Sequence, residues 1–214
     1  MSLFQKLFGQ KTPVEADRKD SGADTPAENG ENKALEKPAV LDKSQYEAIA
    51  NRMFPGIAMF ARDVNLAPAI ASVYKPGMII CERGFTDATC RFMGMPTTHR
   101  YVILSNHMAN FSQFEKGTNW GLCVAQHGAH FKVMGTVVHQ GKTGIFLLHL
   151  PDDDTWKIFQ NTEFSVEKQV YEMAKQRFIA KCTAPVPPEL ADEKWLDRCR
   201  WPLGTDDSGH LFPL

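Results

Sequence analysis

The 214-residue sequence predicts an α+β fold, in which an antiparallel sheet is covered by N- and C-terminal helices. Two observations carry this prediction. Apolar and polar residues alternate between turn signals over residues 119–150, as in a meander of antiparallel strands. Residues 165–182 instead repeat their apolar side chains with the 3.6-residue period of a helix, and a second helical pattern covers residues 43–54.

The chain changes in composition near residue 43. Residues 10–43 contain no aromatic residue, no Ile and no Met, but eight acidic and six basic residues. Such a segment cannot bury enough apolar surface to offset the entropy lost on ordering, so it is predicted to be a disordered N-terminal linker. Residues 44–214 carry all four Trp and all four Tyr, and they are predicted to form a single α+β globular domain.

Residues 1–9 place four apolar side chains at the spacing of one helical face: Leu3, Phe4, Leu7 and Phe8. So short a segment does not hold a helix alone. Two interpretations therefore remain open, an unstructured start of the chain and a short amphipathic docking peptide that becomes ordered in a groove. We predict the docking peptide, because these side chains have no apolar neighbours in the adjacent linker.

The predicted helices have clear start and stop signals. Helix 43–54 has Ser44 as a predicted N-cap and Glu47 three residues later, which together make a capping box. Helix 165–182 is followed by a proline-rich stretch, and a shorter helix runs through Trp195 and Cys199. Strands are predicted near 77–82 and 100–105, which are short apolar runs with β-branched residues.

The turn signals His127-Gly128 and Gly141-Lys142 set a register for the meander if each is a two-residue hairpin loop. Because strand side chains alternate, both hairpins then place their large apolar residues on one face. These residues are Trp120, Leu122, Val124, Phe131, Val133, Val137, Phe146, Leu148 and Leu150. On the other face, Cys123 is expected opposite Lys132 and diagonal to His130.

That placement makes Cys123, His130 and Lys132 weak catalytic candidates, together with His107 in a neighbouring loop. A lysine beside a thiol favours the reactive thiolate, but a small residue opposite a long one is also ordinary packing on a sheet. We therefore assign no catalytic residue. The same register keeps the histidines of the meander apart, so no metal site is expected. No cofactor is predicted either.

The segment 105–119 is long for a connection between strands, yet it carries Met108, Phe111 and Phe114. Long loops with embedded aromatic side chains are often binding elements. The alternative is a short covering helix whose three apolar residues pack inward. Both interpretations stay open, and the three residues are assigned to binding. The triplet Asp152–Asp154 could ligate a hard cation, but it is interpreted as a helix start favoured by the helix dipole.

Composition narrows the classes of function. A net charge of −1 gives no electrostatic reason for a nucleic-acid partner. No apolar run is long enough to span a membrane, and five scattered cysteines without a CxxC pair indicate a cytoplasmic protein with reduced thiols. We predict a non-catalytic interaction domain that binds another protein. The alternatives are a small enzyme using Cys123 or His107 near the 105–119 loop, and a domain that binds a small-molecule ligand.

Overall fold

The computed structural model describes residues 43–214. The predicted docking peptide 1–9 and nearly all of the predicted linker 10–43 lie outside the described residues. The helices of the described residues are α1 (Lys43–Met53), α2 (Pro68–Ala71), α3 (Ser165–Lys181) and α4 (Glu193–Cys199), with 3-10 turns at Ser112–Phe114, Asp154–Phe159 and Pro188–Leu190. None of the described helices is long and apolar enough to cross a membrane.

The described residues build one sheet of eight strands in the spatial order β2-β7-β8-β4-β1-β3-β6-β5. Seven neighbouring pairs make up this order. Six are antiparallel, and the pair β4 and β8 is parallel, so the sheet is mixed. The strands are β1 (Ala58–Val64), β2 (Ile79–Cys81), β3 (Thr86–Thr89), β4 (His99–Ser105), β5 (Ala109–Asn110), β6 (Leu122–Ala125), β7 (His130–His139) and β8 (Lys142–His149).

The predicted α+β class is confirmed, but apolar side chains are buried on both faces of the sheet rather than one. On one face, Phe146 and Leu148 belong to the same core cluster as Val170 and Phe178 of α3. On the opposite face, the core is a separate cluster built around aromatic and aliphatic residues of β1, β2, β4, β7 and β8. Its members include Phe60, Tyr74, Ile80, Tyr101, Ile103, Phe131, Ile145 and Leu147.

The hairpin of β7 and β8 forms, with its turn one residue earlier than predicted. His139 pairs with Lys142, so the turn residues are Gln140 and Gly141, and both have positive φ as a type I′ turn requires. The register shifts between Val133 and Gly135, where a bulge changes which face the following residues occupy. Phe131 and Val133 therefore lie on the face opposite Phe146 and Leu148, not on the same face.

The first hairpin of the predicted meander does not form. Strand β6 pairs with β3 and β5, and four strands of the sheet separate it from β7. The turn at His127-Gly128 is present, but it joins β6 to β7, and β7 pairs with β2 rather than with β6. The helix predictions agree closely with the structure, since α1 and α3 begin and end within one residue of the predicted bounds.

Candidate functional site

Strand β1 carries two buried charged residues, which differ in how completely their hydrogen bonds are satisfied. Asp63 accepts hydrogen bonds from Arg100 Nε at 2.6 Å and from a terminal nitrogen of the same guanidinium at 2.8 Å, with both side chains buried. Arg100 also donates to the backbone oxygens of Met93 and Gly94. This bidentate pair is fully satisfied, so it is a structural contact between β1 and β4.

Arg62, the neighbouring residue, is only partly satisfied. Its terminal nitrogens donate to the backbone oxygens of Asp87 at 3.0 Å and Trp201 at 3.2 Å. The residue is 4 % exposed, and its Nε has no hydrogen-bond partner among the described residues. An unpaired donor on a buried cation is costly unless something accepts from it. Arg62 is thus a buried positive charge whose hydrogen bonding is satisfied only in part.

A cleft of about 540 Å³ lies at Arg62. Arg198 lines the same cleft and pairs with Asp87 at 2.8 Å, so the cleft holds a second, half-exposed guanidinium. Its aromatic lining is exposed, with Phe85 67 % and Trp201 47 % accessible. Exposed aromatic rings beside arginine side chains are suited to a ligand that combines a flat ring with negative charge.

Three carboxylates line the same cleft: Glu82, Asp206 and Asp207. Glu82 accepts hydrogen bonds from the backbone N–H groups of Gly84 at 2.7 Å and Gly204 at 2.8 Å, which ties the C-terminal segment to β2. The backbone N–H of His210 lowers the pKa of Asp206 by a hydrogen bond, and the side chain of His210 lowers it further. Asp206 is therefore a carboxylate at neutral pH.

A second, mainly apolar cleft of about 590 Å³ shares Phe85 and Arg198 with the first. Its other walls come from β5, β6 and the loop between β4 and β6, and they include Ala109, Phe111, Leu122, Val124 and Gln126. The two clefts therefore form adjoining parts of one groove, one part charged and the other apolar. Each volume lies in the range of ordinary small-molecule sites.

A separate cluster lies where β4 and β8 end side by side. His149 Nε2 lies 3.7 Å and His107 Nε2 lies 3.9 Å from the same oxygen, Oδ1 of Asp152. The two imidazole rings stack with their centroids 3.9 Å apart. These three side chains offer ligand atoms that all lie within 4.8 Å of one another, so they are the described residues that could hold a metal ion. The prediction of no metal site rests on the register of the meander, which does not place His107 beside His149 and Asp152.

The structure does not bring Cys123, His130 and Lys132 together. Lys132 is buried against Glu167 of α3, and His130 stacks on Trp156 with ring centroids 4.1 Å apart. Cys123 is buried in β6, where its neighbour is the thiol of Cys90. No hydrogen bond, ion pair or shared cavity joins Cys123 to His107 among residues 43–214. Their catalytic roles remain predictions without support from the geometry.

The three loop residues assigned to binding have different environments. Met108 is partly buried against the core, whereas Phe111 and Phe114 are 40 % and 67 % exposed. The segment forms the short strand β5 and a single 3-10 turn, so it is not a helix that packs all three residues inward. Phe111 lines the apolar cleft, which is the one contact that favours a binding role here.

Arg62 and Arg198 are the main residues that the sequence argument missed. Arg62 stands in a strand that was not predicted, and Arg198 in a helix that was predicted only for its apolar residues. The available signal was a charged Arg-Asp pair inside the apolar stretch "IAMFARDV" (57–64). Charged residues inside a buried strand need partners or a ligand.

Comparison with protein-family models and with curated proteins finds no match. Solved structures of bacterial effectors and toxins do match. The type III effector XopAI from Xanthomonas axonopodis pv. citri is 16 % identical, with 44 % of each chain covered and a TM-score of 0.38. The ADP-ribosyltransferase HopU1 of Pseudomonas syringae pv. Tomato is 15 % identical over 44 % of this chain and 46 % of that one, with a TM-score of 0.39.

Exoenzyme S from Pseudomonas aeruginosa, solved with human 14-3-3 protein beta and Carba-NAD, is 10 % identical over 53 % of this chain and 56 % of its own, with a TM-score of 0.37. This chain thus spans about half the length of the structures it matches. Against these comparisons the prediction of a non-catalytic, protein-binding domain is wrong, as is the preference against an enzyme. The alternative of a small enzyme is the closer one.

Proposed function

We propose that this protein is an enzyme that acts on a nucleotide-class small molecule bound in the groove at Arg62 and Arg198. The observation that carries the proposal is the pair of guanidinium side chains, Arg62 and Arg198, that line one cleft together with exposed aromatic rings. Phosphate oxygens are strong acceptors for arginine. An anionic group in the cleft would lie beside the half-exposed guanidinium of Arg198 and near the charge of Arg62, which two backbone oxygens hold in place.

The adjoining apolar part of the groove supplies the second half of the recognition. A nucleotide has a flat aromatic base as well as phosphate, and the exposed ring of Phe85 lies where the charged and apolar clefts meet. Phe111 and Val124 line the apolar side. Aromatic stacking and burial of the base then favour a nucleotide over inorganic phosphate alone.

The carboxylates of the cleft supply groups for chemistry on the bound ligand. Asp206 is ionised at neutral pH and lines the same cleft as the arginines. Carboxylates beside a sugar can hydrogen-bond its hydroxyls and stabilise positive charge that develops at the sugar carbon as a bond to it breaks. This is the reason to propose an enzyme rather than a binding domain. The proposed reaction therefore breaks a bond at a carbon of the nucleotide's sugar.

The test is binding and turnover of NAD⁺, ADP and pyrophosphate by the full chain. We expect NAD⁺ and ADP to bind more tightly than pyrophosphate in calorimetric titrations. Arg198→Gln removes a charged donor from a half-exposed position and should weaken binding by roughly tenfold to a hundredfold, the equivalent of about 1.5–3 kcal/mol for a hydrogen bond to a charged group. Arg62→Lys should also weaken it, because lysine lacks the planar fork by which two backbone oxygens hold the charge at the cleft.

Arg52→Gln is the charge-matched control, since Arg52 is exposed on α1. It should leave the affinity unchanged. Chromatography of the reaction mixture measures turnover of NAD⁺. Equal affinity of the wild type and both groove variants would contradict the binding site. Tight, groove-dependent binding of NAD⁺ and ADP without any product would contradict the enzyme and leave a ligand-binding protein.

A further inference from the structure

We propose that His107, His149 and Asp152 bind a divalent transition-metal ion of the zinc class. The cluster shares no residue with the Arg62 groove, so this inference is independent of the proposed nucleotide. Both Nε2 atoms face one carboxylate oxygen at 3.7 and 3.9 Å. Ligand atoms of a tetrahedral zinc ion, each at about 2.0–2.1 Å, are roughly 3.3 Å apart, so each nitrogen must approach the carboxylate oxygen by roughly half an ångström. All three ligand atoms already lie within 4.8 Å of one another.

The hydrogen bonds behind His107 leave its Nε2 as an acceptor. The side-chain nitrogen of Asn106 donates to the backbone oxygens of Met53 at 2.8 Å and Pro55 at 3.2 Å. This fixes the amide orientation, because only the nitrogen can donate, and it turns Oδ1 of Asn106 toward His107 Nδ1 at 2.9 Å. His107 Nδ1 must then carry the proton, and the Nε2 lone pair is directed outward for a ligand bond.

His149 presents an unpartnered nitrogen at the same point. The residue is 1 % exposed, its Nδ1 lies 2.9 Å from Ser105 Oγ, and its Nε2 has no hydrogen-bond partner among the described residues. Ser105 Oγ already accepts from the backbone N–H of His107. The unpartnered Nε2 therefore lies 3.7 Å from Asp152 Oδ1 with no group of the described chain between them that it bonds.

The cluster has an opening through which an ion can enter and a fourth ligand can bind. A cavity of about 320 Å³ lies against His107 and Asp152, with Met53, Phe54, Asn106 and Pro151 among its walls. Three protein ligands with one open position are the arrangement of catalytic rather than structural zinc sites. Two imidazoles with a single carboxylate also suit zinc and its transition-metal neighbours, whereas calcium and magnesium prefer oxygen ligands.

Metal titration of the full chain tests the site. After treatment with a chelator and its removal, Zn²⁺ is titrated in competition with a chromogenic chelator, and Co²⁺ is titrated with its visible absorption as the readout. We expect one equivalent to bind, with the intense cobalt bands of a low-coordinate site, and we expect the melting temperature to rise with Zn²⁺. Ca²⁺ and Mg²⁺ should not compete.

The variants His107→Ala and Asp152→Asn change partly exposed side chains and should not disturb folding, which circular dichroism checks. Each should weaken Zn²⁺ binding by more than about a hundredfold, and Asn106→Ala, which removes an outer partner, by roughly tenfold to a hundredfold. His139→Ala and Asp154→Asn are matched controls outside the cluster, since His139 lies at the hairpin turn and Asp154 is an exposed carboxylate that pairs with Lys157. Both should bind as the wild type does. Absence of one-equivalent binding, or equal losses in the controls and the cluster variants, would overturn the proposal.

Discussion

Lys132 and Glu167 form a buried ion pair between β7 and α3, and replacing Lys132 by Met should destabilise the protein by about 3–5 kcal/mol. Lys132 Nζ lies 2.9 Å from one carboxylate oxygen of Glu167 and 3.1 Å from the other, and it donates to the backbone oxygen of Thr162 at 2.6 Å. Methionine fills the volume of the aliphatic chain. It leaves the buried carboxylate without a counter-charge, which is the source of the cost.

Urea unfolding at about pH 7 measures the effect, and the midpoint should fall by on the order of 2 M. Adding Glu167→Gln to Lys132→Met removes the unpaired charge and keeps an oxygen that can accept from the N–H of Phe164, so most of the stability should return. Lys168→Met is the control, because Lys168 follows Glu167 in the chain and its side chain is 75 % exposed. Its cost should stay below about 1 kcal/mol.

The cost of Lys132→Met should also depend on pH. Burial raises the pKa of Glu167, while Lys132 acts in the opposite direction, so loss of the lysine raises this pKa further. A carboxyl whose pKa is raised on folding favours the folded state at acid pH and opposes it as pH rises through the folded pKa. The difference between variant and wild type should therefore shrink as pH falls from about 7 toward 5. A cost below about 1 kcal/mol at pH 7, or one independent of pH, would refute the buried-pair argument.

Two further predictions test other contacts. A hydrogen bond from the Cys123 thiol lowers the pKa of Cys90 to about 6, whereas burial raises the pKa of Cys81. Cys90 should therefore react with iodoacetamide faster than Cys81 at neutral pH, which mass spectrometry measures. Cys123→Ala should slow the alkylation of Cys90. A Cβ on Gly94 would lie 1.8 Å from the backbone oxygen of Ala184, so Gly94→Ala should cost at least about 1–3 kcal/mol and lower the melting temperature by several degrees. Equal alkylation rates of Cys90 and Cys81 would contradict the Cys90–Cys123 contact. An unchanged melting temperature of Gly94→Ala would contradict the close approach of Gly94 to Ala184.

The helices were the most predictable part of the fold, because their evidence is local. Helix α3 has an apolar stripe bounded by stop residues, and both features lie within the helix or beside it. Strand β1 was missed because Arg62 and Asp63 interrupt its apolar pattern. Asp63 is buried only because Arg100, 37 residues away, neutralises it. Alternation along a strand indicates which residues share a face, but not which strand lies beside it, and the bulge near Met134 changes even the face.

The metal cluster depends on a strand pairing that the sequence did not reveal. Strands β4 and β8 run parallel with Leu104 opposite Leu148, so both strands end at the same edge of the sheet. His149 at the end of β8 then meets the loop that follows β4, which carries His107, and the turn after β8 adds Asp152. A meander argument considers only neighbours along the chain and compares histidines that remain apart. Parallel pairing joins segments separated by more than 40 residues, and only that pairing places two histidines and a carboxylate at one point.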